Sequence, residues 1–110
     1  MVWSVLHHEE GQAVMEIDLL RERNRLAVVS LLAGNITGSL PFTDIQEKTG
    51  LTAGNLSSHL RMLETRGLVR IEKSFCGRKP CTTVFLEERG RKILEDFVTE
   101  MERFIATYRS

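Results

Sequence analysis

One stretch of this 110-residue chain, residues 43–67, restricts the fold more than any other. Thr43-Asp44-Ile45-Gln46 has the order of a capping box, a hydroxyl at the N-cap and Gln three residues on. Gly50 predicts an early end to the helix that follows. Thr52 is a second N-cap residue, and a new helix is expected from about Ala53 to Arg66. Its apolar positions Leu56, Leu60 and Leu63 recur at steps of four and three, which gives one buried face. Gly67 then stops it. Two helices joined by a tight glycine-containing turn are a helix-turn-helix, and such a pair needs further elements to cover its leucines.

The outward face of the second helix is unusual. Ala53, Gly54, Asn55, Ser57, Ser58 and Arg61 occupy it, in place of the Glu and Lys that ordinarily solvate a helix. Small side chains allow close approach to another surface, and Gly54 accepts a cost in helix propensity near the helix start.

The flanking segments supply the cover. Leu68 to Phe75 alternates apolar and polar residues, as a half-buried strand does. Gly77-Arg78-Lys79-Pro80 is a turn with two bases at its tip, and Thr82 to Leu86 is a β-prone return strand. Upstream, Val14, Ile17, Leu20, Val28, Val29, Leu31 and Leu32 suit one long or two short helices, with the polar patch Arg21 to Arg25 as an interruption. Gly34-Asn35 is a helix stop. Ser39-Leu40-Pro41-Phe42 is too short for more than one or two strand pairs. Glu87 to Tyr108 reads as a final helix whose apolar stripe is Ile93, Leu94, Phe97, Val98, Met101, Phe104, Ile105 and Tyr108. That stripe is longer than packing within one domain requires, and the N-terminal helix offers a second apolar surface, so dimerisation is expected. The expected fold is a single α+β domain over residues 1–110, mainly α. It has a three-helix core, a two-stranded hairpin and a long C-terminal helix, with about 1–20 and about 87–108 contributing to a dimer.

Net charge is zero, but its distribution is uneven. Residues 61–92 carry nine bases against four acids, while residues 1–24 and 93–110 are both acidic on balance. Local field decides where a polyanion docks. No apolar run approaches the roughly 18 residues of a membrane span, and the first ten residues lack a signal-peptide pattern. The expectation is therefore a cytoplasmic protein without membrane contact. Cys76 and Cys81 do not form a disulfide framework and are expected as free thiols in a reducing compartment. They also lie near each other across the hairpin, where a disulfide would stiffen it.

The order of elements, and the local wording, resemble the winged helix-turn-helix regulators of the ArsR and MarR types. The carrying phrase is Ser57, His59-Leu60, Leu63 and Gly67-Leu68-Val69. The hairpin Phe75-Cys76-Gly77-Arg78-Lys79-Pro80-Cys81-Thr82-Thr83 is similar to that of a stand-alone winged-helix subgroup, with Glu87 where the subgroup has a Thr helix start. The resemblance covers about residues 20 to 105. It implies binding to double-stranded DNA as a homodimer and regulation, expected to be repression, at a promoter. It also implies that helix 53–66 enters the major groove and that wing 75–82 lies on the backbone and minor groove.

On that basis Asn55 bridges an adenine edge, Ser57 and Ser58 bond bases or phosphates, and Arg61 reaches a guanine or a phosphate. The helix start at Thr52, Ala53 and Gly54 offers N–H donors to a phosphate. Lys73, Arg78, Lys79, Thr82 and Thr83 contact the backbone or the minor groove. Arg61 has an alternative, pairing with Glu64 or Thr65 on its own helix, and Arg78 and Lys79 also suit a solvated hairpin tip. His59, beside the core face, is read as a packing or hydrogen-bonding residue. No enzyme motif is present. His7-His8 and the two cysteines fall short of a zinc ligand set, so neither metal nor cofactor is expected, and the pattern specifies no small-molecule effector. The competing function is a winged helix that binds a protein partner, which requires apolar anchors on residues 53–61.

Overall fold

A computed structural model describes residues 16–110 of the chain. The expectations for Val14, for His7-His8 and for most of the N-terminal dimerisation segment lie outside the described residues. Residues 16–19 are helical and are followed by a turn and bend over residues 20–22. Helix α1 then runs Arg23–Gly34. The polar patch does divide two helices, because the Glu22 carboxylate caps the second of them at the backbone N–H of Arg25.

Strand β1 (Ser39–Pro41) leads directly into α2 (Phe42–Thr49). The capping box expected at Thr43 does not form. Pro41 is the N-cap, no side chain bonds there, and Thr43 is an exposed residue inside the helix. The reason is packing: Phe42 turns onto the core, which starts the helix before Thr43. Gly50 closes α2 at φ 72°, a left-handed conformation that suits glycine. Helix α3 (Ala53–Thr65) follows, then β2 (Val69–Cys76), β3 (Lys79–Leu86) and α4 (Glu88–Arg109). Glu87, in the place where the resembling subgroup has Thr, is an N-cap without a side-chain hydrogen bond. Its carboxylate accepts from Arg70 Nε instead, at 3.1 Å.

The expected two-stranded hairpin is part of a three-stranded antiparallel sheet in the order β1-β3-β2. β1 makes three pairings, Ser39 with Phe85, Leu40 with Val84 and Pro41 with Thr83. Neighbouring backbone extends the contact, since Leu86 N donates to Gly38 O at 2.8 Å. Three short residues thus suffice because β3 already presents a free edge at the right height.

The core lies between the helices and the base of the sheet. Leu20, Val28, Val29, Leu32, Ile45, Leu56, Leu63, Leu68 and Val84 are fully buried. The three leucines expected on the inner face of α3 are all there, with Leu60 at 1% exposure. From α4, Ile93 and Phe97 join the same core. Both were expected at a dimer interface; at 4% and 8% exposure they face the core of their own domain and leave little surface for a second copy.

Two polar ties fasten α4 to the body. Arg89 pairs with the buried Glu16 and donates to Arg66 O at 3.0 Å. Arg21 bonds Glu100 at 2.7 Å and also Asp18, and these two acceptors raise its pKa above its ordinary value.

Candidate nucleic-acid interface

Helix α3 is set for contact by its first turn. Thr52 is the N-cap, and its Oγ1 accepts the N–H of Asn55 at 3.1 Å. Its oxygen thereby serves the helix as an acceptor, while its O–H remains able to donate outward. The N–H groups of Ala53 and Gly54 remain at the helix start without an intrahelical acceptor, where the positive end of the helix dipole attracts an anion. Replacing Thr52 with Ala is expected to cost about 1 kcal/mol. Urea unfolding checks it: the midpoint falls while the slope m stays constant.

Beyond that turn Asn55, Ser58 and Arg61 are exposed, and Ser57 is half-buried. Arg61 does not form the intrahelical pair considered as its alternative. Glu64 accepts the backbone N–H of Ile71, and the Thr65 hydroxyl bonds the Arg61 carbonyl. The Arg61 guanidinium has no acid partner among the described residues. Position 64 was not among the expected site residues. Its bond to Ile71, at 3.3 Å, ties α3 to the edge of β2 and so fixes the angle between helix and hairpin.

The back of α3 is held by His59. Its Nδ1 lies 3.5 Å from Arg25 Nη1 and 3.8 Å from Glu22 Oε2, in a half-buried cluster at the start of α1. This is the hydrogen-bonding role expected of it. Desolvation alone raises the Glu22 carboxyl pKa. Backbone bonds from Arg25 and Asn24, with the charges of His59 and Arg25, outweigh that and hold it below the ordinary carboxylate value. A depressed carboxyl contributes stability above its unfolded value, and the contribution is lost as pH falls through the folded one. Wild type and Glu22→Gln are therefore expected to differ in unfolding midpoint at neutral pH and to converge as pH falls through the depressed folded-state value of this carboxyl. A gap that is constant with pH would contradict this cause.

The hairpin extends the surface. Its register places Lys73 opposite Thr82 and Phe75 opposite Pro80, on the same face as Ile71 and Val84. Glu72 with Thr83, and Ser74 with Cys81, occupy the other face. Thr82 and Thr83 were both expected at DNA. The pleat separates them, so that Thr82 stands with Lys73 towards α3 and Thr83 stands on the far side beside Pro41. A groove of about 610 Å³ lies between α3 and the hairpin, lined by Ser57, Arg61, Glu64, Ile71, Lys73 and Thr82 among others. Phe75, expected at an apolar strand position, is 75% exposed because the hairpin here has passed beyond the body.

Not all of the basic stretch faces this groove. Arg70 pairs with Glu72 and Glu87, Arg89 with Glu16, and Lys92 with Asp96. Arg61, Lys73, Arg78 and Lys79 are exposed with no acid partner among the described residues, so α3 and the hairpin both carry unpaired positive charge; Arg66 and Arg91 of the same stretch are also exposed and unpaired among the described residues. Upstream, the side chains of Arg21 and Arg25 are engaged by Glu100 and by Leu19 O. Cys76 and Cys81, expected as free thiols, are joined by a disulfide with a Cα–Cα distance of 5.8 Å. The diagonal pair fits because both residues lie on the hairpin face away from Lys73 and Thr82. Among the described residues, no three His, Cys, Asp or Glu side chains are grouped to hold a metal ion, and no helix is long and apolar enough to cross a membrane.

The sequence profile described as a winged helix DNA-binding domain matches residues 24–105. The chain belongs to that family. The match spans α1 to most of α4, so the helix-turn-helix and the hairpin that forms its wing are inside it. MJ0432 of Methanocaldococcus jannaschii, described as uncharacterized, is 31% identical over 77 residues, 70% of this chain and 82% of that protein. A transcriptional regulator homologue from Pyrococcus horikoshii OT3 is 32% identical, with a TM-score of 0.73 over 88% of this chain and 97% of its own. Sco3205, a MarR family transcriptional regulator from Streptomyces coelicolor solved in complex with DNA, shares the fold at 19% identity. Its TM-score is 0.68 over 96% of this chain and 69% of its own.

Proposed function

We propose that this winged-helix protein is a homodimeric transcriptional regulator of the cytosol that represses by binding a specific double-stranded DNA site. In this reading α3 enters the major groove, and the wing follows the backbone to the adjacent minor groove. The observation that carries it is the pairing across one groove of Arg61 on α3 and Lys73 on the wing, both without acid partners among the described residues. Exposed Asn55 and Ser58 lie on the same helix. Asn55 supplies the bidentate geometry for adenine N6 and N7. Ser57, Ser58 and the N–H groups of Ala53 and Gly54 serve phosphates or base edges. Arg78 and Lys79 at the wing tip serve the backbone and a narrow minor groove. The family supports DNA as the partner, as does the P. horikoshii relative described as a regulator homologue.

The dimer rests on the outer part of α4. Val98, Phe104, Ile105 and Tyr108 are 46, 59, 50 and 89% exposed. With half-buried Leu94 and Met101 they form a stripe continuing from the core-facing Ile93 and Phe97. A run of large apolar side chains in water is ordinarily covered by a partner, and a second copy supplies the same stripe about a two-fold axis.

The test is a salt series on a duplex selected by the protein from a random pool, for wild type and Arg78→Ala/Lys79→Ala. Each phosphate contact contributes about 0.9 to the slope of log K against log salt. The double variant is expected to bind every duplex more weakly with a slope shallower by about 2 or more. An unchanged slope would remove the wing tip from the DNA contact.

A further inference from the structure

We infer that the Cys76–Cys81 pair is a thiol–disulfide modification site that sets how firmly the wing tip is presented, and with it the affinity for DNA. The inference rests on the DNA-binding reading above. Its physical ground is the weakness of the wing beyond its base. β1 supports β3 only as far out as Thr83, so the pairs from Lys73–Thr82 to Cys76–Lys79 form a two-stranded ribbon. Such a ribbon is marginal in water. Pro80 weakens it further by removing a backbone donor. Ser74, Phe75, Cys76, Lys79 and Pro80 are all exposed, so packing adds little. Gly77 at φ 69° and Arg78 make the two-residue turn, and the disulfide spans that turn. The bond therefore ties together the part of the wing that is otherwise held only by its own two-stranded ladder, and the two bases it encloses are Arg78 and Lys79.

Oxidation proceeds by exchange with a low-molecular-weight disulfide. The thiolate of Cys76, the more exposed of the two, attacks one sulfur of the oxidant, whose S–S bond breaks and releases a thiolate. Cys81 gives its proton to solvent and attacks Cys76 Sγ, expelling the second thiolate. One protein S–S bond forms, one oxidant S–S bond breaks, and two electrons pass to the oxidant. Reduction by a thiol reverses each step. With the bond closed, the wing bases are held in place before DNA arrives. With it open, their ordering is charged against binding.

The experiment equilibrates the protein across oxidised-to-reduced glutathione ratios, counts thiols, and titrates the selected duplex at each ratio. Cys76→Ser/Cys81→Ser serves as the permanently open form, with its fold checked by circular dichroism. The expected result is two thiols per chain appearing on reduction and an affinity about tenfold weaker with the same midpoint. The double variant should match the reduced form at every ratio. Equal affinity in both forms, tighter binding by the reduced form, or a bond that stays closed at every ratio overturns the inference alone. A wild type that binds no duplex in either form fails the DNA-binding reading as well.

Discussion

Gly90→Ala is expected to destabilise the protein by about 2 kcal/mol or more, although alanine is the better helix former by about 1 kcal/mol. A Cβ at position 90 would stand 2.2 Å from the Leu68 carbonyl oxygen, 2.7 Å from Leu86 Cδ1 and 3.0 Å from the Leu68 carbonyl carbon. The first of these is backbone and cannot swing aside. That same carbonyl accepts the N–H of Glu87 at 3.0 Å, which holds the entry of α4. Relief of the clash therefore means either lifting α4 away from the strand start or breaking that bond. Ile93 and Phe97, one and two turns on, would leave the core with it. For a domain of this size the loss corresponds to a fall in melting temperature of about 10 °C. Thermal unfolding followed by circular dichroism measures it, and a variant as stable as wild type would contradict the close approach.

The second large effect belongs to the outer stripe of α4. Ile105→Glu is expected to convert a dimer to the 12.6 kDa monomer. Burial of one such side chain is worth about 1.5–3 kcal/mol. In a two-fold contact each substitution acts twice, so the loss doubles and two carboxylates are brought into a shared apolar seam. The change should leave the fold intact, because Ile105 is half exposed and lies outside the core cluster. Sedimentation equilibrium gives the mass. DNA affinity should fall with it, since two tethered half-site contacts become one. A wild type that is already monomeric at all concentrations would contradict the dimer. A dimer in which Ile105→Glu changes nothing would move its interface elsewhere.

The legibility of these features in the sequence varied with their cause. The inner face of α3 was readable because Leu56, Leu60 and Leu63 obey helical spacing and burial follows spacing. Thr52 was readable as a cap for the same local reason. Thr43 was misread: its capping box is a local signal, overridden by the tertiary demand to bury Phe42. β1 was undervalued because three residues carry no period, and its existence depends on the free edge of β3, distant in sequence. The apolar stripe of α4 was visible as a whole, but its division into an inner part at Ile93 and Phe97 and an outer part at Ile105 and Tyr108 depends on where the body ends. Gly90 reads in sequence only as a weak point in a helix, and its purpose appears once Leu68 lies against it. The separation of Thr82 from Thr83 follows from strand alternation and was legible in principle. Both residues lie within the expected return strand from Thr82 to Leu86, whose period of two puts neighbours on opposite faces.

The central claim is that α3 reads base sequence, and competition binding tests it most directly. Labelled selected duplex is bound by wild type or by Asn55→Ala at one fixed salt concentration, then displaced by unlabelled selected duplex or by duplex of random sequence. The account predicts that wild type prefers the selected site and that Asn55→Ala loses about 1–3 kcal/mol of that preference while its affinity for random duplex is unchanged. A wild type displaced equally well by both competitors would contradict it, and would leave the groove between α3 and the wing as a surface for a partner other than a specific DNA site.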